Sequence, residues 1–245
     1  MPQLQQPSEH HLSLLAQYDT PTICNAIELF DVRPRNSGYM DARIRACFPE
    51  MPPVVGYAAT AMFRGALERA GGQAYATLEE QVRRFAEIPA PPIVVFQDLD
   101  DPPVAATFGE IMCSTYQRFG AAGLVTSGAA RDLDQVRRLG FPAFASGAIC
   151  AHGYPRIHSL HVSVRVGGLA VYPGDLLHAD LNGVTSIPLE IAADVADVAA
   201  EYAAAEAVVL DFIKTGSKDV DQYAEARREM LRRIEDLGKR VRSRR

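Results

Sequence analysis

Apolar positions change period along this chain, and the changes mark out its elements. Residues 8–18 read as a short capped helix, and a second helix opens at Thr20-Pro21, with proline at the first helical position and Ile23, Ala26, Ile27 and Phe30 on one face. A proline-broken loop follows through residues 33–53. Residues 54–63 predict a strand, 74–88 an amphipathic helix, and 93–96 a short buried strand that ends in the acidic turn QDLDD. Beyond Gly109, helices are expected at 110–119 and 132–139, with strands at 122–126 and 143–145. Between 162 and 187 several strands come quickly, punctuated by Gly167-Gly168, Pro173-Gly174 and Asn182-Gly183. From Glu190 the pattern is helical, with an interruption near Gly216.

Strands that alternate with helices in one stretch and follow one another directly in the next predict a mixed α/β core. At 245 residues and 48% hydrophobic, the chain can bury one sizeable core, so a single domain over residues 1–245 is expected. The opening residues carry neither a basic nor an apolar segment of the secretory kind. No apolar run approaches the ~20 residues of a membrane span. A soluble, cytoplasmic protein is the expectation.

Charge changes the picture in two places. The net charge of −5 divides into +6 over residues 227–245, where nine basic residues face three acidic ones, and −11 over the rest. The bulk of the chain is therefore a poor nucleic-acid binder, while the tail reads as a solvated helix end or a contact for RNA or an acidic partner. Lysine occurs only at 214, 218 and 239. Schiff-base chemistry needs an amine that can deprotonate, and arginine cannot replace it, so pyridoxal phosphate and lysine-imine mechanisms are disfavoured. Cys24, Cys47, Cys113 and Cys150 form no CxxC pair and read as buried free thiols.

Two short stretches are candidates for chemistry. Gly109-Glu110-Ile111-Met112 stands where a loop enters a helix, and such an end offers unpaired N–H groups to a carboxylate. Glu110 would also serve there simply by complementing the helix dipole. Ser127-Gly128-Ala129-Ala130-Arg131-Asp132 follows an apolar strand, at the carboxyl end where ligands gather in open α/β sheets. Either Asp132 caps the next helix and pairs with Arg131, or Arg131 grips a carboxylate while Asp132 holds a metal. His178 and Asp180 read as turn residues, His152, His158 and His161 as surface or packing residues, and Asp98, Asp100 and Asp101 as a solvated loop.

In order, the chain carries GEIM at 109–112, GAAGLVTSGAARD at 120–132, GFPAFA at 140–145 and VRVGGLAVYPGDLLHADLNGVTSIP at 164–188. This succession resembles the RraA-like family, which holds 4-hydroxy-4-methyl-2-oxoglutarate aldolases and a ribonuclease E regulator. The clear match runs over about residues 54–188, leaving 189–245 as a helical extension. The resemblance implies a β/β/α swivelling-type core with N- and C-terminal helical extensions, assembled as a homotrimer or homohexamer with sites between subunits. It implies that backbone amides at Gly109, Glu110, Ile111 and Met112 hold pyruvate and that Arg131 binds the substrate's oxygens. It also implies that Asp132 ligates Mg2+ or Mn2+ and that Glu110 orders water on that ion. A glutamate from a neighbour's C-terminal helix completes the aldolase site, and Glu206 is the position that best matches it. Asn25 and Asn182 stand where many relatives carry acids, which bears on the identity of the substrate.

Together these features predict a divalent-metal-dependent lyase, an aldolase or decarboxylase that releases pyruvate from a small 2-oxo acid. The alternative is a non-catalytic regulator that masks a ribonuclease-like partner.

Overall fold

The computed structural model describes residues 7–66 and 76–243. It divides into two compact units, one of residues 38–187 and one that joins the N-terminal segment through Ser37 to the chain from Pro188 onward.

The helical unit opens with α1 (Glu9–Leu15) and α2 (Thr20–Glu28). A capping box between Ser8 and His11 starts α1. The cap of α2 is Asp19, whose carboxylate accepts the Thr22 N–H at 2.8 Å, one residue earlier than the proline signal indicates.

The 38–187 unit begins with the two-residue strand β1 (Arg45–Ala46) and the long β2 (Val54–Arg64). Next come α3 (Leu78–Arg83), started by a Thr77/Glu80 capping box and continued by a short 3-10 turn, and β3 (Pro92–Asp98). The first residues of the helix expected from 74 lie outside the described residues. Then follow β4 (Ala106–Phe108), α4 (Glu110–Arg118), β5 (Gly123–Thr126), β6 (Ala129–Ala130) and α5 (Leu133–Leu139). The unit ends with β7 (Ala143–Ala145), β8 (Gly147–Ala148), β9 (Arg156–Leu160), β10 (Val164–Val166), β11 (Leu169–Val171), β12 (Leu176–Asp180) and β13 (Gly183–Ile187).

The larger sheet runs β1-β7-β5-β3-β2-β12-β13, and β9 also pairs with β2. Strands β2, β3, β5 and β7 are parallel neighbours, whereas β1, β9 and β12 join them antiparallel. Both faces are covered, so its central strands are apolar throughout rather than alternating. Along β3, Val94 and Phe96 enter one core with Phe108, Cys113, Tyr116 and Val136 from β4, α4 and α5. Ile93 and Val95 enter the other, with Val164, Val166 and Val171 from the β10–β11 hairpin.

A second, small sheet of three parallel strands runs β4-β6-β8. Two sheets with helices against them make the mixed α/β core of swivelling β/β/α type that the sequence leads one to expect.

The helical unit is completed by α6 (Ala192–Lys214) and α7 (Val220–Ser243), which contact each other, while α1 and α2 pack on α6. Ala192, Val195, Ala196, Val198 and Ala199 are buried along α6. Arg242 at the end of α7 donates to the Leu29 carbonyl at 2.7 Å. No described helix is long and apolar enough to cross a membrane.

Candidate functional site

The small sheet places the candidate residues. Its strand β4 runs into Gly109 and α4, and its strand β6 runs into Arg131, Asp132 and α5. The Arg131 N–H donates to the Phe108 carbonyl at 3.1 Å, which fastens the two strand ends side by side. The sequence predicts Arg131 and Asp132 in a turn after the strand at 122–126. In the structure Ala129 and Ala130 intervene as β6 and carry them to the carboxyl end of a different sheet. Two alanines are too short a run to announce a strand.

Asp132 is the residue before α5 and lies in the left-handed region, at φ 56° and ψ 38°. Its side chain does not cap its own helix. It turns instead to α4, where Oδ2 accepts the Glu110 N–H at 3.0 Å. Arg131 Nε lies 3.7 Å from the same oxygen, and both side chains remain one-third exposed. Asp132 thus pairs with Arg131, as one of the two readings expects, and its carboxylate serves the first amide of the neighbouring helix rather than that of its own. Of the first-turn amides of α4, Glu110's is taken, and those of Ile111 and Met112 have no partner among the described residues, since a helix supplies none there.

Gly109 is needed for space. Its backbone is extended, but a Cβ there would lie 2.4 Å from Asp132 Oδ2 and 3.0 Å from Arg131 Nε. A cavity of about 160 Å³ opens beside it, lined by Thr107, Phe108, Gly109, Ile111, Met112, Arg131 and His152 among others. Drug-sized ligands occupy roughly 300–1,000 Å³, so this space suits a molecule of a few heavy atoms.

His152 is a residue that sequence spacing gave no reason to single out. Its Nδ1 lies 2.8 Å from the Gly153 carbonyl. A carbonyl only accepts, so Nδ1 carries the hydrogen and Nε2 of the neutral ring is an acceptor.

The acidic turn after β3 differs from the solvated loop expected of it. Asp101 is exposed, but Asp98 is buried and Asp100 nearly so. Asp98 Oδ1 accepts the Asp100 N–H at 3.0 Å, and burial pushes its carboxyl up to about 6. Among the histidines, His161 has a buried ring held by Glu87 at 3.1 Å, while His152 and His158 are exposed. Asp180 accepts both the backbone and side-chain N–H groups of Asn182, the turn role expected of it. The cysteines are thiols as expected, though only Cys113 is buried and Cys150 is exposed.

Glu206 belongs to the helical unit, on α6. It is half-buried, and its carboxyl is raised by burial and then by Asp19.

A mixed α/β core with a Gly-Glu helix start facing an Arg-Asp strand end defines the class of protein. The family model RraA-like, described as Aldolase/RraA, matches residues 20–185, and the chain belongs to that family. A protein of Halalkalibacterium halodurans, provisionally named 4-hydroxy-4-methyl-2-oxoglutarate aldolase, is 37% identical over 84 residues. That match takes in 34% of this chain and 40% of the relative, so the chain spans less than half of that relative's length. Among solved structures, an uncharacterized protein from Pseudomonas syringae pv. tomato superposes with TM-score 0.72 at 21% identity, over 92% of this chain and 96% of that one. Streptomyces coelicolor RraAS2, described as an unusual member of the RNase ES inhibitor RraA protein family, gives 0.63 at 23% identity, over 80% and 92%. Both likenesses concern the fold.

Proposed function

We propose that this chain is a divalent-metal-dependent lyase that cleaves a small 2-oxo acid, such as 4-hydroxy-4-methyl-2-oxoglutarate or oxaloacetate, to give pyruvate. The observation that carries the reading is one small cavity lined by Gly109, Ile111, Met112 and Arg131 at the start of α4, with the Asp132 carboxylate beside it, 3.7 Å from Arg131 Nε. Every side-chain contact of Asp132 falls on Oδ2, so Oδ1 is open among the described residues. Hard oxygen donors few in number suit Mg2+ or Mn2+, which keep several waters. Asp132 would hold the ion, and Glu110 would order water beside it. Bound there, the ion would polarise the 2-oxo group and help hold the enolate charge.

In aldol cleavage the C3–C4 bond breaks, the C4 hydroxyl gives up its proton, and the electron pair leaves on pyruvate enolate, which is protonated at C3. In decarboxylation carbon dioxide departs instead. Arg131 supplies a fixed charge and a planar fork for the carboxylate and enolate oxygens. The Ile111 and Met112 amides hold the carboxylate from the other side. Glu110 and His152 Nε2 offer places to move the proton. Glu206 would be contributed by a neighbouring subunit of a trimer or pair of trimers.

The regulator alternative rests on the basic tail. Arg232 and Arg233 bind Glu229, and Arg232 also binds Asp236, acids already counted in the balance of +6, while Arg240 binds Glu201 outside the tail. Incubation with oxaloacetate and Mg2+ should release pyruvate, and EDTA should abolish it. Full turnover by thoroughly chelated protein would refute the metal requirement.

A further inference from the structure

We infer that the substrate carries a bulky apolar group, aryl or branched alkyl, seated in a second cavity that continues from the first. The inference rests on the lyase reading above and names the substrate class for that site. The second cavity measures about 670 Å³, against about 160 Å³ for the first. Met112, His152 and Pro155 line both, so the two cavities adjoin.

The chain makes this space at the far end of β2. Phe63 there pairs with Ile157 of β9, and the Tyr154 N–H donates to the Gly65 carbonyl at 2.9 Å. Leu78, the first residue of α3, adds another wall. Phe63 and Ile157 form a fixed floor at 1% and 8% exposure, whereas Tyr154 leaves an aromatic ring 49% exposed beside it. An exposed ring next to a rigid apolar floor is a surface that gains by being covered.

Charge argues the same way. Among the described lining residues there is no carboxylate, and besides the Tyr154 phenol the ionisable ones are His152 and Arg156. A second substrate carboxylate would lose its water against Phe63, Leu78, Met112 and Ile157, and Arg156 is the one guanidinium among the described lining residues. An aryl group loses nothing polar there. The size ratio supports this, since a carboxylate adds three heavy atoms and leaves most of the larger space empty.

With the 2-oxo acid end on Arg131, the shared wall of Met112, His152 and Pro155 falls between that end and the apolar group. This is where the bond to be broken lies in a 4-hydroxy-2-oxo acid.

Calorimetric binding to the full chain, with Mg2+ present, tests the inference with non-cleavable probes. Pyruvate, 2-oxoglutarate and 2-oxo-4-phenylbutanoate share the 2-oxo acid end and differ in the tail, and oxalate reports on the small cavity alone. The phenyl compound should bind at least about tenfold more tightly than pyruvate, the gain expected from burying a ring. Tyr154→Ala and, separately, Leu78→Ala should erase most of that advantage and leave pyruvate affinity unchanged. Equal affinities for pyruvate and the phenyl compound, or tighter binding of 2-oxoglutarate, would overturn the inference and leave the lyase reading standing. If none of the four compounds binds, both fall together.

Discussion

Asp132 holds a backbone conformation that side chains other than Asn and Asp seldom adopt. That turn aims its carboxylate away from the helix it precedes and onto the first amide of α4, with Arg131 alongside. The pair therefore acts through two different atoms of one fork-and-carboxylate arrangement, and charge alone does not reproduce it. Arg131→Lys keeps the charge but removes Nε and the planar fork. kcat/KM for pyruvate release should fall at least ~100-fold, equal to ~2.7 kcal/mol of transition-state stabilisation. Near-normal kinetics would return Arg131 to a structural role. Asp98 makes a different prediction, one of stability. Its folded carboxyl titrates at about 6, above its ordinary value, because burial disfavours the charged form. The stability it contributes is complete below about pH 4 and is lost as the pH rises through about 6. The loss above that range is on the order of 3 kcal/mol. Asp98→Asn keeps an acceptor for the Asp100 N–H and cannot ionise. Denaturant unfolding should show the variant gaining on the parent between pH 4 and pH 8. A constant difference across that range would show that Asp98 does not titrate there.

At the scale of elements, the site depends on how closely two strand ends approach. Gly109 joins β4 to α4 with no room for a methyl group, because Asp132 Oδ2 and Arg131 Nε stand where it would go. Gly109→Ala should leave the fold intact, since the obstructing atoms are side-chain ends that can swing away. It should lower kcat/KM about 100-fold, the scale expected when reacting groups are displaced by ~1 Å. A melting curve within a few degrees of the parent, together with slow kinetics, is the expected pair of results; unchanged kinetics would mean the carboxylate position is irrelevant. Much of this region was legible beforehand. The helix start at Glu110, the next one placed at Asp132 and thus one residue early, and the strands at 93–96 and 143–145 follow from periodicity and from Gly and Pro punctuation. The small sheet was not legible, because β4, β6 and β8 have two or three residues each and are defined by partners far along the chain. The buried state of Asp98 was hidden for a related reason. A QDLDD turn looks solvated until Ser127 and Thr107, distant in sequence, are folded against it.

At the scale of the molecule, the question is whether one chain suffices for a site. Glu206 lies on α6 in the helical unit, while Arg131 and Asp132 belong to the other unit. The resemblance that singles out Glu206 assigns it to a neighbouring subunit's site. Its surroundings suit such a role, because burial and then Asp19 raise its carboxyl, the direction found for many acids that move protons. Glu206→Ala should therefore assemble normally and turn over slowly. Asp132→Ala should also be slow, for want of its carboxylate. When the two are mixed and their subunits exchange, some interfaces join an intact Asp132 from one chain to an intact Glu206 from another. Those interfaces should recover activity that neither variant has alone, and the recovery should follow the mixing ratio. Sedimentation and mass spectrometry of the mixture would verify that exchange occurred. Exchanged assemblies without recovery would remove Glu206 from a shared site, and a chain that sediments as a monomer while fully active would remove the shared site itself.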